Sequence, residues 1–468
     1  MLDKPAEAFI ENRTFDELTP GEAASLSHTV TQHIDLFATV TGDVNPAYVD
    51  PAYAETDMFH HIVTQGMWGG GLISAVLGTK LPGPGTIYLG QDMLFRHPVS
   101  IGDTITATVT VREKTAANGG VTLGRVCANQ HGEAVITGTA YTRAPAVKVR
   151  RLRIVLPHVQ VDRYDGMNAI LARAAGGVRV PAAVVFPIDN ASLLAAFEAS
   201  TAGLLAPILI GPAAQMQALA RAQDMDIAPF RLIDEPDGPA AAARAVALVH
   251  AGEAAMVMKG DLHTDELMHP VVASQGGLRT ARHISHVYLM DVPDYPRLLM
   301  ITDAAINIAP KLAEKAGIVQ NAIDLAHVIG IAQPRVAILA AVETVNPKMQ
   351  STVDAAELCR MAERGQITGG LVGGPFGFDN AISEAAAAEK HIVSPVAGRA
   401  DILVVPDLEA GNMLAKQLTF LSGAEAAGIV LGASVPIVLT SRADSAGTRL
   451  ASCAVGVLLA RAGKAARS

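Results

Sequence analysis

Cysteine is scarce: Cys127, Cys359 and Cys453 stand alone, with no CxxC pairing. That excludes a disulfide framework and a structural zinc site built on paired thiolates, and it fits a reducing cytoplasm. Aromatics are few, 11 Phe, 7 Tyr and a single Trp, too scattered to form rows of stacking platforms for single-stranded nucleic acid. Basic charge is outweighed, 36 Lys and Arg against 45 Asp and Glu for a net −9, so nothing pulls the whole chain toward DNA, RNA or anionic membranes. No apolar run approaches the roughly 18–20 residues needed to span a bilayer; the nearest, Ala426–Thr440, is broken by Gly428, Gly432, Ser434 and Pro436 and is expected to be a helix end, a turn and a strand. The opening stretch mixes acids and bases with no cationic region ahead of an apolar core, so no secretory signal is expected. Neither a Walker loop nor a GxGxxG fingerprint occurs, which removes the key loop of nucleoside triphosphatases and Rossmann dehydrogenases. What remains is an aliphatic globular chain of 468 residues, half of them hydrophobic, with a mean hydropathy of +0.31. At roughly 100–200 residues per domain it should hold two to four domains.

The texture changes near residue 150. Before it, one Gly-rich helical stretch precedes strand patterns at 86–95, 103–113, 121–129 and 133–143, separated by turns such as Asn118-Gly119-Gly120 and His131-Gly132. These predict antiparallel strands following a helix. Between Arg143 and Arg153 lie five basic residues with no acid, and the segment 146–159 is predicted to be a linker. After residue 160 short apolar strands alternate with Ala-rich helices, among them strands at 182–186, 207–210, 254–258, 335–342, 370–372, 401–405 and 436–440. Helices are expected at 192–201, 239–250, 352–363, 380–390 and 411–422. Such a series implies parallel strands with crossover helices and ligands at the carboxyl ends of the strands. There is no internal repeat and no low-complexity tract.

The first dense constellation is Gly42-Asp43-Val44-Asn45-Pro46-Ala47-Tyr48-Val49-Asp50, followed by Gln65-Gly66 opening a Gly-rich helix and by Phe95-Arg96-His97-Pro98-Val99. Read from the residues, Asp43 and Asn45 suit an Asx-type turn, and Gly66, Gly69, Gly70 and Gly71 would let a thioester carbonyl approach backbone N–H groups at a helix start. The string resembles the MaoC-like hot-dog family of (R)-specific enoyl-CoA hydratases, over about residues 12–145. In that family an Asp and a His activate the water that adds across the enoyl double bond. Asp43 matches the Asp; Tyr48 stands at the His position and Gln65 where a His precedes the helical glycine. A tyrosine with a reference pKa near 10 is a poor base at neutral pH. Three readings stay open: a weak hydratase using Asp43 alone, an inactive domain that still holds acyl-CoA through Asn45, Tyr48 and Gly66, and a structural module. His60 and His61 are expected to be surface or cap residues.

The second constellation lies where strands of the second half end: Lys259–Thr264, the run from Gly277 to His286 with Arg279 and Arg282, Asp303 to Asn307, Gly373-Gly374-Pro375, Pro406–Asn412 and Thr440–Ser445. Arginines and backbone N–H groups at helix starts are what phosphate recognition needs. As a set these look like the phosphate acetyl/butyryltransferase family over about residues 160–465, with Pro406-Asp407-Leu408-Glu409-Ala410-Gly411-Asn412 and Pro436–Ser445 the most specific pieces. The resemblance implies two α/β lobes with a cleft, no metal, no permanently bound cofactor, and CoA, acyl-CoA and inorganic phosphate as substrates. Ser441 and Arg442 match a Ser-Arg pair in which the arginine holds CoA or the transition state, and Arg282 matches an arginine after a Gly/Thr loop. The acetyltransferase-type Asp seven residues after the serine is here Thr448, and Asp444 lies nearer.

The expected fold class is therefore an α+β hot-dog domain at 1–145, the basic linker at 146–159, and at 160–468 an α/β two-lobed phosphate acyltransferase with parallel sheets and an interlobe cleft. Ser441 and Arg442 are expected to polarise the carbonyl, Asp444 to act as base, Arg282 to bind phosphate, Arg279 to bind substrate, and Asp303 and Asn307 to line the cleft. The expected reaction is acyl-CoA plus phosphate to acyl phosphate plus CoA on a short acyl chain, beside a hydratase-like domain; a fully bifunctional enzyme and a non-catalytic acyl-CoA-binding scaffold are the alternatives. A cytoplasmic homo-oligomer with no nucleic-acid or membrane partner is expected.

Overall fold

The computed structural model describes residues 9–31, 34–154, 164–439 and 444–465. The chain forms two compact units, Met1–Val161 and Asp162–Ser468.

In the first unit, alternation of apolar and Ser/Thr residues builds a five-stranded antiparallel sheet in the order Ala23–Thr29, Thr104–Thr115, Gly120–Ala128, Ala134–Arg143, Ile87–Phe95. Ile105, Ala107, Val109 and Val111 face inward at every second position and are buried, as a period of two requires. The helix Gly66–Thr79 lies on that face, and Ile73, Val76 and Leu77 complete the core. Its glycines have a packing cause: a Cβ on Gly66 would stand 2.8 Å from the Phe95 ring, and one on Gly69 would overlap Ile136. Close approach of helix to sheet, rather than conformational freedom, selects them.

Part of the basic segment expected to be a linker is structured. Arg150–Leu152 pairs antiparallel with Phe9–Glu11, Lys148 meets Glu11 at 3.0 Å and Glu17 at 2.9 Å, and Arg150 lies 4.3 Å from the centre of the Phe9 ring. The acids that answer these charges come from the other end of the unit, out of sight of the local sequence.

The second unit is organised on one sheet of eleven strands. Arg231–Asp234, Leu205–Gly211, Val180–Val185, Met256–Lys259 and Ile437–Val438 run parallel in that order. Glu425–Leu431 then runs antiparallel to Ile437–Val438 and to Ser285–Asp291, which is itself antiparallel to Leu299–Thr302. Ile402–Val404, Arg335–Leu339 and Leu371–Phe376 continue parallel to Leu299–Thr302. The expected parallel series is thus mixed at its centre. Ala426–Leu431, expected to be a helix end, is strand, because Ile429 and Val430 are fully buried between two neighbours. The helix expected over 380–390 is two, Phe378–Ile382 and Glu384–Glu389, divided where Ser383 caps the second through Ala386 N.

Helix starts follow their caps. Asp189, Asp237 and Asp407 accept backbone N–H bonds from Ser192, Ala240 and Ala410 at 2.6, 2.8 and 2.9 Å, each worth about 1 kcal/mol. Between the helices Leu312–Val328 and Gln350–Glu363, Lys315 Nζ meets Asp354 Oδ2 at 2.7 Å with both side chains buried. Removing one partner strands a buried charge, whereas removing both does not. Lys315→Met should lower stability by about 3–5 kcal/mol, and Lys315→Met with Asp354→Leu should regain most of it, as read from urea unfolding midpoints.

Candidate functional site

The first unit holds a cavity of about 670 Å³. The Asx turn builds its rim: Asn45 accepts from Ala47 N at 3.2 Å and caps the short helix Pro46–Val49, while Asp43 Oδ1 accepts from Asn45 N at 3.4 Å. Thr64 N donates to Val99 O at 2.8 Å, which ties the Gln65-Gly66 helix start to the Pro98-Val99 segment. Asp43, Asn45, Tyr48 and Gly66 all line this cavity, so the four residues expected there are brought together. His60 and His61 do not line it; His61 bonds Ser100 Oγ at 2.8 Å and His60 the Glu55 carbonyl at 3.2 Å, the surface roles expected of them. Two further lining residues were named in motifs but given no role. His97 supplies an imidazole, and Gln65 is 2% exposed with both amide atoms lacking a hydrogen-bond partner. The sequence marked both positions only through their place in motifs.

In the second unit the expected residues fall into three places. Ser441 and Arg442 lie outside the described residues. Asp444 lines a cavity of about 430 Å³ together with Tyr288, Lys416, Glu425 and Thr448. Burial, reinforced by Asp444, pushes the Tyr288 phenol up to about 12, so it remains a neutral O–H donor near neutral pH. Arg279 and Arg282 line a different cavity, of about 650 Å³, where Arg282 pairs with Asp324 at 2.9 Å. Glu425 and Leu431, the two ends of one strand, line the first and the second cavity respectively. At roughly 3.4 Å per residue the two are about 20 Å apart.

Asp303 and Asn307 form one network. Asp303 Oδ1 accepts from Ala305 N and Ile306 N, each at 2.9 Å, and Oδ2 from His286 N at 3.1 Å and Asn307 Nδ2 at 2.5 Å. Asn307 Oδ1 accepts from His283 Nε2 at 2.8 Å. A carboxylate with four donors is fully engaged in holding its loop, which suits Asp303 to positioning rather than proton transfer. Between this network and the Asp444 cavity stand His286 and Tyr288, with ring centres 4.4 Å apart. Burial pushes His286 below the ordinary imidazole range, with Asp303 pulling the other way, and His286 Nδ1 has no hydrogen-bond partner. Gly428 makes the crossing possible, since a Cβ there would stand 3.1 Å from His286 Nε2 and 3.4 Å from the Tyr288 ring.

Among the described residues no group of three or more His, Cys, Asp or Glu is arranged to hold a metal ion, and no helix is long and apolar enough to cross a membrane.

Comparison with known proteins matches both parts. Residues 239–457 match the phosphate acetyl/butaryl transferase family and residues 17–128 the MaoC like domain. A phosphate acetyltransferase of Rhizobium meliloti is 58% identical over 308 residues, 66% of this chain and 96% of that protein. A phosphate butyryltransferase of Clostridium acetobutylicum is 42% identical over 293 residues, 63% of this chain and 97% of that protein. The crystal structure of a branched-chain phosphotransacylase from Enterococcus faecalis V583 is 31% identical with a TM-score of 0.53, covering 60% of this chain and 99% of that one. The chain belongs to the phosphate acetyl/butyryl transferase family and carries a MaoC-like hot-dog domain ahead of its transferase part.

Proposed function

We propose that the second unit exchanges CoA and inorganic phosphate on a short acyl group, acyl-CoA plus phosphate to acyl phosphate plus CoA. The observation that carries this is the 58% identity with a phosphate acetyltransferase along nearly its whole length, supported by a cavity in which Asp444, Tyr288 and Thr448 converge. The chemistry needs a phosphate oxygen held against the thioester carbonyl, donors for the tetrahedral oxyanion, and an exit for the thiolate. Ser441 and Arg442, three and two positions before Asp444 in the sequence, are assigned the carbonyl and its oxyanion, and Asp444 is the candidate base. Asp303 and Asn307 position the loop through His286. Arg279 and Arg282, in their own cavity, are assigned an anionic part of a substrate remote from the reacting carbon. Substrates are acyl-CoA and phosphate with no permanent cofactor, and the protein is read as a cytoplasmic homo-oligomer. The three free cysteines support that location.

For the first unit the reading is a domain that holds an acyl thioester with little hydration of it. Its cavity is walled by apolar groups such as Phe37, Phe59 and Val63 and rimmed by Asp43 and Asn45, and a phenol, Tyr48, stands where the resembled hydratases have their imidazole.

Acetyl-CoA and butyryl-CoA should each release CoA only when phosphate is added, and Arg442→Ala should cut that release by orders of magnitude with the circular dichroism spectrum unchanged. Near-normal release from the variant would reject the assignment. Hydration of crotonyl-CoA by the parent protein should be slow and should rise in Tyr48→His, with phosphate-dependent transfer the same in both. A parent that already hydrates crotonyl-CoA fast would move the base to His97.

A further inference from the structure

Glu425 opens the central antiparallel strand and faces the Asp444 cavity. It is half-buried, and its side chain makes no hydrogen bond or ion pair with any described residue, unlike that of Asp303 or Asp354. Its surroundings are acidic. Asp291, its partner across the strand pair, is 7% exposed and accepts from Met167 N at 2.8 Å; Asp165 stands behind Asp291, and Asp444 lies across the cavity. The one cation lining the cavity among the described residues is Lys416, on the helix Leu408–Leu421. The neutral polar groups are Tyr164, Tyr288, Thr419, Ser445 and Thr448. The chain also makes room for this side chain: Gly447, in the first turn of the helix Ala446–Ala465, has no Cβ where one would overlap a Glu425 carboxylate oxygen.

We infer that Glu425 is a further catalytic residue, the group that exchanges a proton with the CoA sulfur. This rests on the acyltransferase reading above. With acyl phosphate and CoA as reactants, the S–H proton passes to the Glu425 carboxylate as sulfur attacks the acyl carbon. The C–S bond forms, the C–O bond to phosphate breaks, and phosphate leaves with the electron pair. In the opposite direction a phosphate oxygen attacks the thioester, the C–S bond breaks, and the departing thiolate takes its proton from the Glu425 carboxylic acid.

Geometry gives the argument and electrostatics agrees with it. Burial first, and the Asp291 charge second, push Glu425 above the ordinary carboxylate range, toward the operating pH that favours general acid and base work. The carboxylate form is needed for CoA attack, so that rate should rise with pH through the raised value. The acid form is needed for thiolate departure, so the reverse rate should fall through the same value. Asp444, which reinforces the neutral state of the Tyr288 phenol, then acts on the oxygen side of the exchange.

The test is the pH profile of kcat/KM in both directions for the parent, Glu425→Gln, Glu425→Asp and Asp444→Asn, with thermal melting of each. Glu425→Gln should lose about 10²- to 10⁴-fold together with the opposing pH limbs, while Glu425→Asp should keep both limbs and exceed the Gln variant at least tenfold. Asp444→Asn should slow the reaction and leave the limbs in place. If Glu425→Gln stays within twofold of the parent, if Gln and Asp fall equally, or if the limbs vanish in Asp444→Asn instead, the inference is overturned. A parent with no phosphate-dependent CoA release would refute the acyltransferase reading itself and this inference with it.

Discussion

The reversal of strand direction at the centre of the eleven-stranded sheet is the constraint on which the rest of the second unit depends. Glu425–Leu431 is antiparallel to both neighbours, and Ala427, Ile429 and Val430 are fully buried. A strand covered on both faces accepts only apolar or small residues, and Gly428 is the extreme case, because His286 and Tyr288 from the neighbouring strand cross over it. The reversal also decides where polar loops emerge. Parallel strands on one side of it end at one edge of the sheet, and those on the other side end at the opposite edge. Asp303 and Asn307 therefore belong to one edge and Asp444 to the other, with the His286–Tyr288 pair as the bridge. Residues that look like a single constellation along the sequence become two stations joined by a buried imidazole and a partly buried phenol.

The first unit carries the same lesson about glycine. Gly66 and Gly69 sit where Phe95 and Ile136 press against the helix, so their presence follows from packing alone. The polar turn is different in kind. Asn45 is occupied by capping the next helix, whereas Asp43 accepts a single long backbone bond and keeps most of its acceptor capacity toward the cavity. The chemistry of that cavity thus rests on Asp43, Tyr48, Gln65 and His97 more than on the glycines that first draw attention.

Much of the architecture was legible because it is local. Alternation with Gly and Asn turns placed the four long strands of the first unit within one or two residues, whereas the helix expected at 411–422 begins three residues earlier, at Leu408, where Asp407 caps it. The second unit's central strand was not legible, since Ala-Ala-Gly at its start carries no β preference and its identity comes from burial between segments far away in sequence. The partners of Lys148, within the segment read as a linker, were equally hidden: its acids, Glu11 and Glu17, are more than 130 residues away. Among site residues, Asp43, Asn45, Tyr48 and Gly66 converge as expected, held within one short stretch of turn and helix. Arg282 and Asp444 do not, because sequence order says nothing about which edge of a sheet a loop occupies. Glu425 was silent, since an acid ahead of an apolar run reads as an ordinary strand boundary.

Two buried arrangements of charge in the second unit show how such a fold separates structural from chemical acids. Asp354 is matched by Lys315 at 2.7 Å, and Asp303 is engaged by four donors; each has partners that the fold supplies. Around Glu425 the pattern is inverted. Asp291 places like charge beside a half-buried carboxyl whose side chain meets no donor among the described residues, and a like charge in a poorly solvated space favours the protonated form. An arrangement that only had to be stable would place a cation or an amide there, as the fold does for Asp354 and Asp303. A carboxyl pushed above the ordinary carboxylate range, beside a cavity and under a glycine that leaves it room, is suited to pass a proton back and forth in a reaction that runs in both directions.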